Sequence, residues 1–466
     1  MKKKILYIIL PALLTVSACR KQLNTLPQSS LDAATAFNTR QGIATGLTGV
    51  YDGIQQTGYM SLNFLLFADM YGDNIQEVGT FPTFAQVYNK ILTSDNVDVQ
   101  TIWNAIYSTI NRANTILAAA NQLNDPLFAK ASTIGQCEAI RAMCYFDLLR
   151  MFGGSGANLT ATSTSQFNQP GGAGVPLKLT PTLTVADAAP IPRATEAAVY
   201  AQILLDINDA ISKLPAVTAT GQVNLYVAQA LKSRIQLYYQ NYTDAATSAS
   251  AVISSGKYSL VSGANYGTIY TKGNSSESIW ELQYNTADQN AVAFYYFTAA
   301  FGGRNEVSST ALLNAAFEPG DIRKPINFTV AAPGIPAAKT LKYTRPNPGI
   351  DPVMMFRLAE MYLTRAEAEA NMGGAANLAL ALADLNVVRN RAGLPNSLAV
   401  TQAAIITAIL NERRVELAHE GQRFFDLRRV NNTAILGITE PFRNLFPIPF
   451  FDFSTSNGVI AQNTGY

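Results

Sequence analysis

From about residue 36 onward, apolar positions recur mostly at helical spacing, and the segments that keep this rhythm come in pairs. Residues 231–256 read LKSRIQLYYQNYTDAATSASAVISSG and residues 359–393 read AEMYLTRAEAEANMGGAANLALALADLNVVRNRAG. Each predicts a helix with aromatic or long apolar residues, a polar or glycine turn, and then an alanine-rich helix whose small residues let a neighbour approach closely. That rhythm is the one of tetratricopeptide-like pairs, with a usual period of about 34 residues. Two more pairs look split: residues 36–55 with 99–123, and residues 138–152 with 195–214. Three stretches break the pattern, residues 68–98, 153–193 and 258–351. The last holds strand-like SIWELQY and little helical rhythm. The pattern predicts a mostly α fold in which helical pairs form a scaffold interrupted by irregular, loop-rich insertions. What such scaffolds display in long loops is usually their working surface.

The first residues, MKKKILYIILPALLTVSAC, change the picture of where the protein works. A basic start, an apolar run over 5–16 and small residues before Cys19 predict a secretory signal over residues 1–18. The run is shorter than the roughly 20 residues a membrane span requires. Cys19 directly after Ser17-Ala18 resembles a lipobox, which makes it the lipidation site and the first residue of the mature chain. The membrane is then met through a lipid. Cys137 and Cys144 lie seven residues apart in one predicted helix, a separation of roughly 10 Å. A disulfide needs α-carbons within about 7 Å, so both thiols are expected free, buried and inert. With 34 basic and 32 acidic residues the net charge is +2, which gives a nucleic-acid partner little electrostatic support.

One charged stretch looks like an active site. Residues 411–430, NERRVELAHEGQRFFDLRRV, hold the chain's single histidine, His419. The spacing predicts an amphipathic helix over residues 403–420 ending at Gly421, with Glu412, Glu416 and Glu420 each one turn apart and Arg413 three residues from Glu416. Phe424, Phe425 and Leu427 then enter the core, and Asp426 lies among Arg423, Arg428 and Arg429. A general acid and base require perturbed groups converging on an open cleft. Here every carboxylate has an arginine near it, so the segment reads as an arginine–carboxylate scaffold.

Sugars present flat C–H faces and a rim of hydroxyls, so a glycan site pairs aromatic platforms with polar side chains. Two clusters have that composition. One is residues 71–88, with Tyr71, Asp73, Asn74, Phe81 and Phe84; the other is residues 280–304, with Tyr284, Asn290, Tyr295, Tyr296 and Arg304. Trp103 and Trp280 read as core. A surface glycosidase requires two carboxyl groups roughly 5–10 Å apart; Asp69 with Asp73, or Asp288 with Glu306, are the available pairs, and no motif fixes either. No phosphate-binding glycine loop, GxSxG elbow or HExxH helix occurs. The sequence calls for no cofactor and no metal.

Several segments, in order, resemble the SusD/RagB family of lipidated surface binding proteins from bacteria that import glycans and peptides across an outer membrane. They are Cys19 with LNTLPQSSLDAATAF, FADMYGDN before WNAIYSTINRAN, RAMCYFDLLRMFGG before GVPL, then MFRLAEMYLTRAEA, LNVVRNRAG, ERRVELAHEGQRFFDLRR, and LFPIP with QNTGY. The resemblance implies a SusD-like fold over residues 19–466, divided into a part at 19–257 and a part at 258–466 with its insertion at 258–351. It also implies a binding protein without catalytic activity, held on the outer membrane facing outward, that delivers a glycan to a SusC-like TonB-dependent transporter. Peptide cargo is the alternative within that role, a surface glycoside hydrolase or a ligand-free lid the alternatives outside it. The family's ligand loops correspond in position to the stretch after ADMYGDN.

Overall fold

The computed structural model describes residues 33–466 except 156–162, 170 and 333–335; the expected signal and Cys19 lie outside the described residues. The helical rhythm becomes α1 (Arg40–Ile54), α2 (Asn63–Met70), α3 (Val97–Gln122), α4 (Lys130–Phe152), α5 (Glu196–Lys213), α6 (Leu225–Tyr238), α7 (Tyr242–Ile253), α8 (Leu358–Met372), α9 (Ala375–Arg391), α10 (Gln402–Glu416) and α11 (Arg423–Arg429). Each long helix packs on the next of the series: α1 on α3, α3 on α4, α4 on α5, then α5 to α6, α6 to α7, α7 to α8 and α8 to α9 and α10. This is the stacked arrangement that the paired rhythm predicts.

Local chemistry sets the helix ends. The Asn96 side chain accepts from the amides of Asp98 and Val99, Asn224 from those of Tyr226 and Val227, and Thr39, Thr195 and Thr401 each cap one helix in the same way. Such caps satisfy amides that a first turn leaves unpaired. Between α8 and α9 the chain reverses through Gly373 and Gly374, both at positive φ, which a side chain disfavours.

Helix α4 is buried along nearly its whole length and forms the spine of the main core. Its buried charged residues are paired: Arg141 grips Asp206 of α5 bidentately at 2.7 and 2.8 Å, and Arg150 pairs with Asp147 within the helix. Cys137 and Cys144 are free and buried there, and burial raises both thiols above the ordinary range. In protein beginning after Cys19, a thiol reagent at pH 8 is expected to label neither cysteine in the folded state and both in denaturant. Fast labelling of either in native buffer contradicts the packing.

Among the described residues, three two-stranded antiparallel sheets tie the irregular parts. They are β1 (Ile75–Glu77) with β5 (Val307–Ser309), β2 (Ala173–Pro176) with β3 (Arg193–Thr195), and β4 (Ser278–Leu282) with β6 (Val353–Arg357). The SIWELQY segment is thus a strand, and Trp280 is core, its indole N–H donating to the Gly221 carbonyl at 2.9 Å. Among the described residues no helix is long and apolar enough to cross a membrane.

The charged segment departs from its expected shape. Helix α10 ends at Glu416, not at Glu420, because the Glu416 carbonyl is taken by Arg357 Nη2 at 2.6 Å and Lys342 Nζ at 3.1 Å. The chain then turns through His419 and Gly421, both at positive φ. Arg413 does not pair with Glu416 three residues on. It pairs with Asp426 at 3.1 Å, while Glu416 is reached by Arg323, Arg357 and Arg391 from other elements. Asp426 takes Arg413 and Arg429, whereas Arg428 donates to the carbonyls of Arg150 and Gly153 and Arg423 goes to Asp73.

Candidate functional site

The two aromatic insertions meet. Strand β1 pairs with β5 in the register Ile75↔Ser309 and Glu77↔Val307, and the ladder runs on as the amides of Val78 and Gly79 both donate to the Glu306 carbonyl. Residues 304–306 lie in turn along the short helix Val292–Tyr296, with Arg304 N bonded to Phe294 O and Glu306 N to Tyr295 O. Gly79 lets the strands approach closely here: a Cβ would stand 2.2 Å from Glu306 Oε2, so any side chain would force Glu306 to shift. The first loop is closed by Glu77, whose carboxylate accepts from the Phe84 amide at 2.9 Å. Phe81 therefore projects from a pinned loop and is 58% exposed.

Arg304 completes the feature. Its guanidinium stands 4.8 Å from the Phe81 ring centroid, pairs with the buried Glu306 at 2.8 Å and donates to Thr83 Oγ1 at 3.3 Å. A cation over a ring face is attracted by the ring's quadrupole. A guanidinium carries five N–H donors; Nη2 gives one to Thr83 Oγ1, and Nε faces the Glu306 carboxylate as an ion pair. Tyr295 lies half-buried beside Phe84 and Phe294, at centroid distances of 5.1 and 5.4 Å, and Phe301 is exposed nearby along the chain. An apolar face, a fixed donor and a neutralised charge side by side suit an uncharged, hydroxyl-bearing ring.

The other expected ligand residues are placed inside. Tyr71 is fully buried, its ring edge-on to Phe424 and its hydroxyl donating to the Arg443 carbonyl at 2.7 Å. Phe84 packs against Phe67 and Tyr295 and supports the platform from below. Tyr284 is buried with its hydroxyl 2.9 Å from Ser61 Oγ, and Tyr296 is buried with its hydroxyl 2.8 Å from His419 Nδ1. Asn74 holds Asp69 and accepts from Arg414, and Asn290 donates to the Asp351 carbonyl and accepts from the Val292 amide. Asp73 is occupied by Arg423 at 2.6 Å and Arg414 at 2.9 Å. These side chains spend their polar atoms on the fold. Of the expected set, Phe81 and Arg304 are exposed together, with half-buried Tyr295 beside them. Thr83 and Phe294 belong with them and were not singled out by composition, because a threonine and one more phenylalanine in AFYYF carry no distinguishing spacing.

Asn411, Glu412 and Val415 line a cleft of about 410 Å³ with Asp321, Arg323 and Arg389, but Glu416, His419 and Glu420 are not in its lining. Glu416 is fully buried; burial alone would raise its carboxyl, but the charges of Arg391, Arg357 and Arg323 hold it well below the ordinary range. Glu420, paired with Arg357 and Lys342, is held down in the same way. His419 is buried and neutral, pushed down to about 3 by burial and by Lys342.

Comparison with known proteins adds the following. Residues 334–436 match the model of the SusD family, and residues 21–237 match a family model described as starch-binding and associating with the outer membrane. A SusD-like protein of Formosa agariphila is 26% identical over 99% of this chain and 98% of its own length. The fold is that of a SusD superfamily protein from Bacteroides vulgatus, with TM-score 0.78 at 24% identity over 92% of this chain and 99% of that one. It is also that of a laminarin-binding SusD-like protein, with TM-score 0.73 at 23% identity over 91% and 99%.

Proposed function

The chain belongs to the SusD/RagB family, and on that premise we propose that it is a lipid-anchored protein of the outer membrane that captures a glycan and delivers it to a SusC-like TonB-dependent transporter. The single observation that carries the reading of the site is the exposed Phe81 ring held beside Arg304 where two insertions converge. Stacking on the ring supplies contact area at little cost in conformational entropy, because the loop is already closed by Glu77 and the guanidinium already fixed by Glu306. The ion pair leaves no net charge for the ligand to neutralise, which favours a neutral sugar over an acidic one. Cargo passed to a transporter has to be released again, and a shallow platform that encloses little of its ligand suits that.

Calorimetric titration with soluble starch and laminarin tests this. Phe81→Ala is expected to weaken binding about tenfold, a loss of roughly 1.4 kcal/mol, without changing the far-ultraviolet spectrum, because the ring is mostly in solvent. Equal affinity in Phe81→Ala and the parent would remove the site. Binding of peptides and not of either polysaccharide would replace the cargo.

A further inference from the structure

A second cleft, of about 440 Å³, opens between α3, the segment leading into β3 and the short C-terminal helix Phe450–Thr455. Its lining includes Trp103, Tyr107 and Phe451 together with Asn104, Lys178 and Asp452, and it shares no lining residue with the Phe81 platform. Phe451 in its lining is 66% exposed, and the adjacent Phe450, 53% exposed, lies next to the cleft outside its lining. An exposed apolar patch rimmed by polar residues is a feature of ligand-binding grooves.

The polar atoms around these rings are fixed and only partly used. Asp452 accepts from Trp103 Nε1 at 3.1 Å and from Gln100 Nε2 at 2.8 Å, which joins the C-terminal helix to α3. Each carboxylate oxygen can accept a second bond. Asn104 accepts from Gln100 through its carbonyl, and its amide nitrogen makes no hydrogen bond within the described residues. Lys178 gives two of its protons to the carbonyls of Asp187 and Ala189, leaving a third. Donor and acceptor thus flank the aromatic wall, and the lysine and the aspartate cancel in charge.

We infer that this cleft is a second sugar-binding subsite, built for a neutral polysaccharide chain; the inference rests on the glycan reading of the preceding subsection. The two subsites hang on one insertion. Phe81 is at its projecting loop, and farther along the same insertion the Ser94 carbonyl accepts from the Phe450 amide at 2.8 Å. The chain from position 81 to position 94 spans at most roughly 43–47 Å when extended, a separation one polymer chain can bridge. Binding at two linked points then raises avidity through effective concentration, which single shallow platforms lack.

Trp103 reports on the cleft directly. The chain has two tryptophans, and Trp280 → Phe leaves Trp103 as the sole indole; the same titrations on unsubstituted protein serve should that variant fold poorly. Laminarin and soluble starch are the probes, with a casein hydrolysate in parallel. The expected result is a saturable change in Trp103 emission with a polysaccharide, abolished in Phe451→Ala and retained in Phe81→Ala with weaker apparent affinity. Calorimetric binding that Phe81→Ala weakens while Trp103 emission stays flat would overturn the second subsite and leave the first standing. No polysaccharide binding by either measurement overturns both. A response to the hydrolysate alone reassigns the cleft to peptide and overturns it as a sugar site.

Discussion

Glu416→Gln is expected to destabilise the folded protein by about 3–5 kcal/mol, the cost of removing one partner from a buried ion network. Glu416 accepts from Arg323 at 2.7 Å and from Arg357 and Arg391, all of them buried with it. Those cations also touch Glu277, Glu412, Asp321 and Glu420, so the charges are shared rather than paired one to one. Burial disfavours an ionised carboxyl, but the three guanidinium charges outweigh it. Neutralising the residue therefore leaves excess positive charge in a medium where it is poorly screened. Urea unfolding followed by circular dichroism measures the effect as a lower midpoint. Asp52→Asn is the contrast: its partner Arg112 is exposed and so is the aspartate itself, so the loss there is at most about 1 kcal/mol. A Glu416→Gln variant as stable as the parent would mean that the network does not carry the charge balance described here.

The helical half was legible because its signal is local. Spacing, caps and turns lie within a few residues of one another, and the paired segments at 231–256 and 359–393 fold as α6–α7 and α8–α9 with boundaries shifted by a few residues. The end of α10 was not legible, since what stops it is a lysine and an arginine from residues 342 and 357 taking its last carbonyl. The same limit applies to the site. Composition marks Tyr71 and Phe81 alike, yet Tyr71 finds Phe424, Phe446 and the Arg443 carbonyl, all far along the chain, while Phe81 meets Arg304 and stays mostly in solvent. What assigns a ring to core or to ligand here is the long-range pairing of β1 with β5, and no periodicity in either insertion encodes it. The cleft at Phe451 was hidden for the opposite reason: Trp103 sits at a helical core spacing and is indeed buried, so nothing in its own helix shows that its edge borders open space.

The pH dependence of stability should carry opposite contributions from two buried groups near the α10 turn, and removing His419 is expected to expose the second. His419 Nε2 lies 3.2 Å from the Asn327 carbonyl, which can only accept, so Nε2 carries the proton and Nδ1 accepts from the Tyr296 hydroxyl. The ring has no room for a second proton without reversing that hydroxyl. Its folded pKa of about 3 lies below the ordinary 6.5, so the unfolded chain binds the proton first. The stability this contributes is present above about pH 6.5 and is lost as pH falls through 3, a span that linkage converts to on the order of 5 kcal/mol. Asp69 runs the other way. Burial raises it to about 7 against the lowering effect of the Gly421 amide and Asn74, so its contribution is present below about pH 4 and is lost as pH rises through 7. Between these limits the two slopes oppose, and the parent should show a flatter profile than either group alone. In His419→Gln, Nε2 can still donate to Asn327, and the acid-side loss disappears; the gap to the parent should then narrow as pH falls from 6.5 to 4, leaving a variant whose stability declines toward neutrality because Asp69 alone remains. In Asp69→Asn the parent's stability deficit near pH 7 should be relieved relative to pH 4. Chemical denaturation from pH 4 to pH 8 measures both gaps, and a pair of variants whose profiles run parallel to the parent's would show that neither group is held in the protonation state its contacts require.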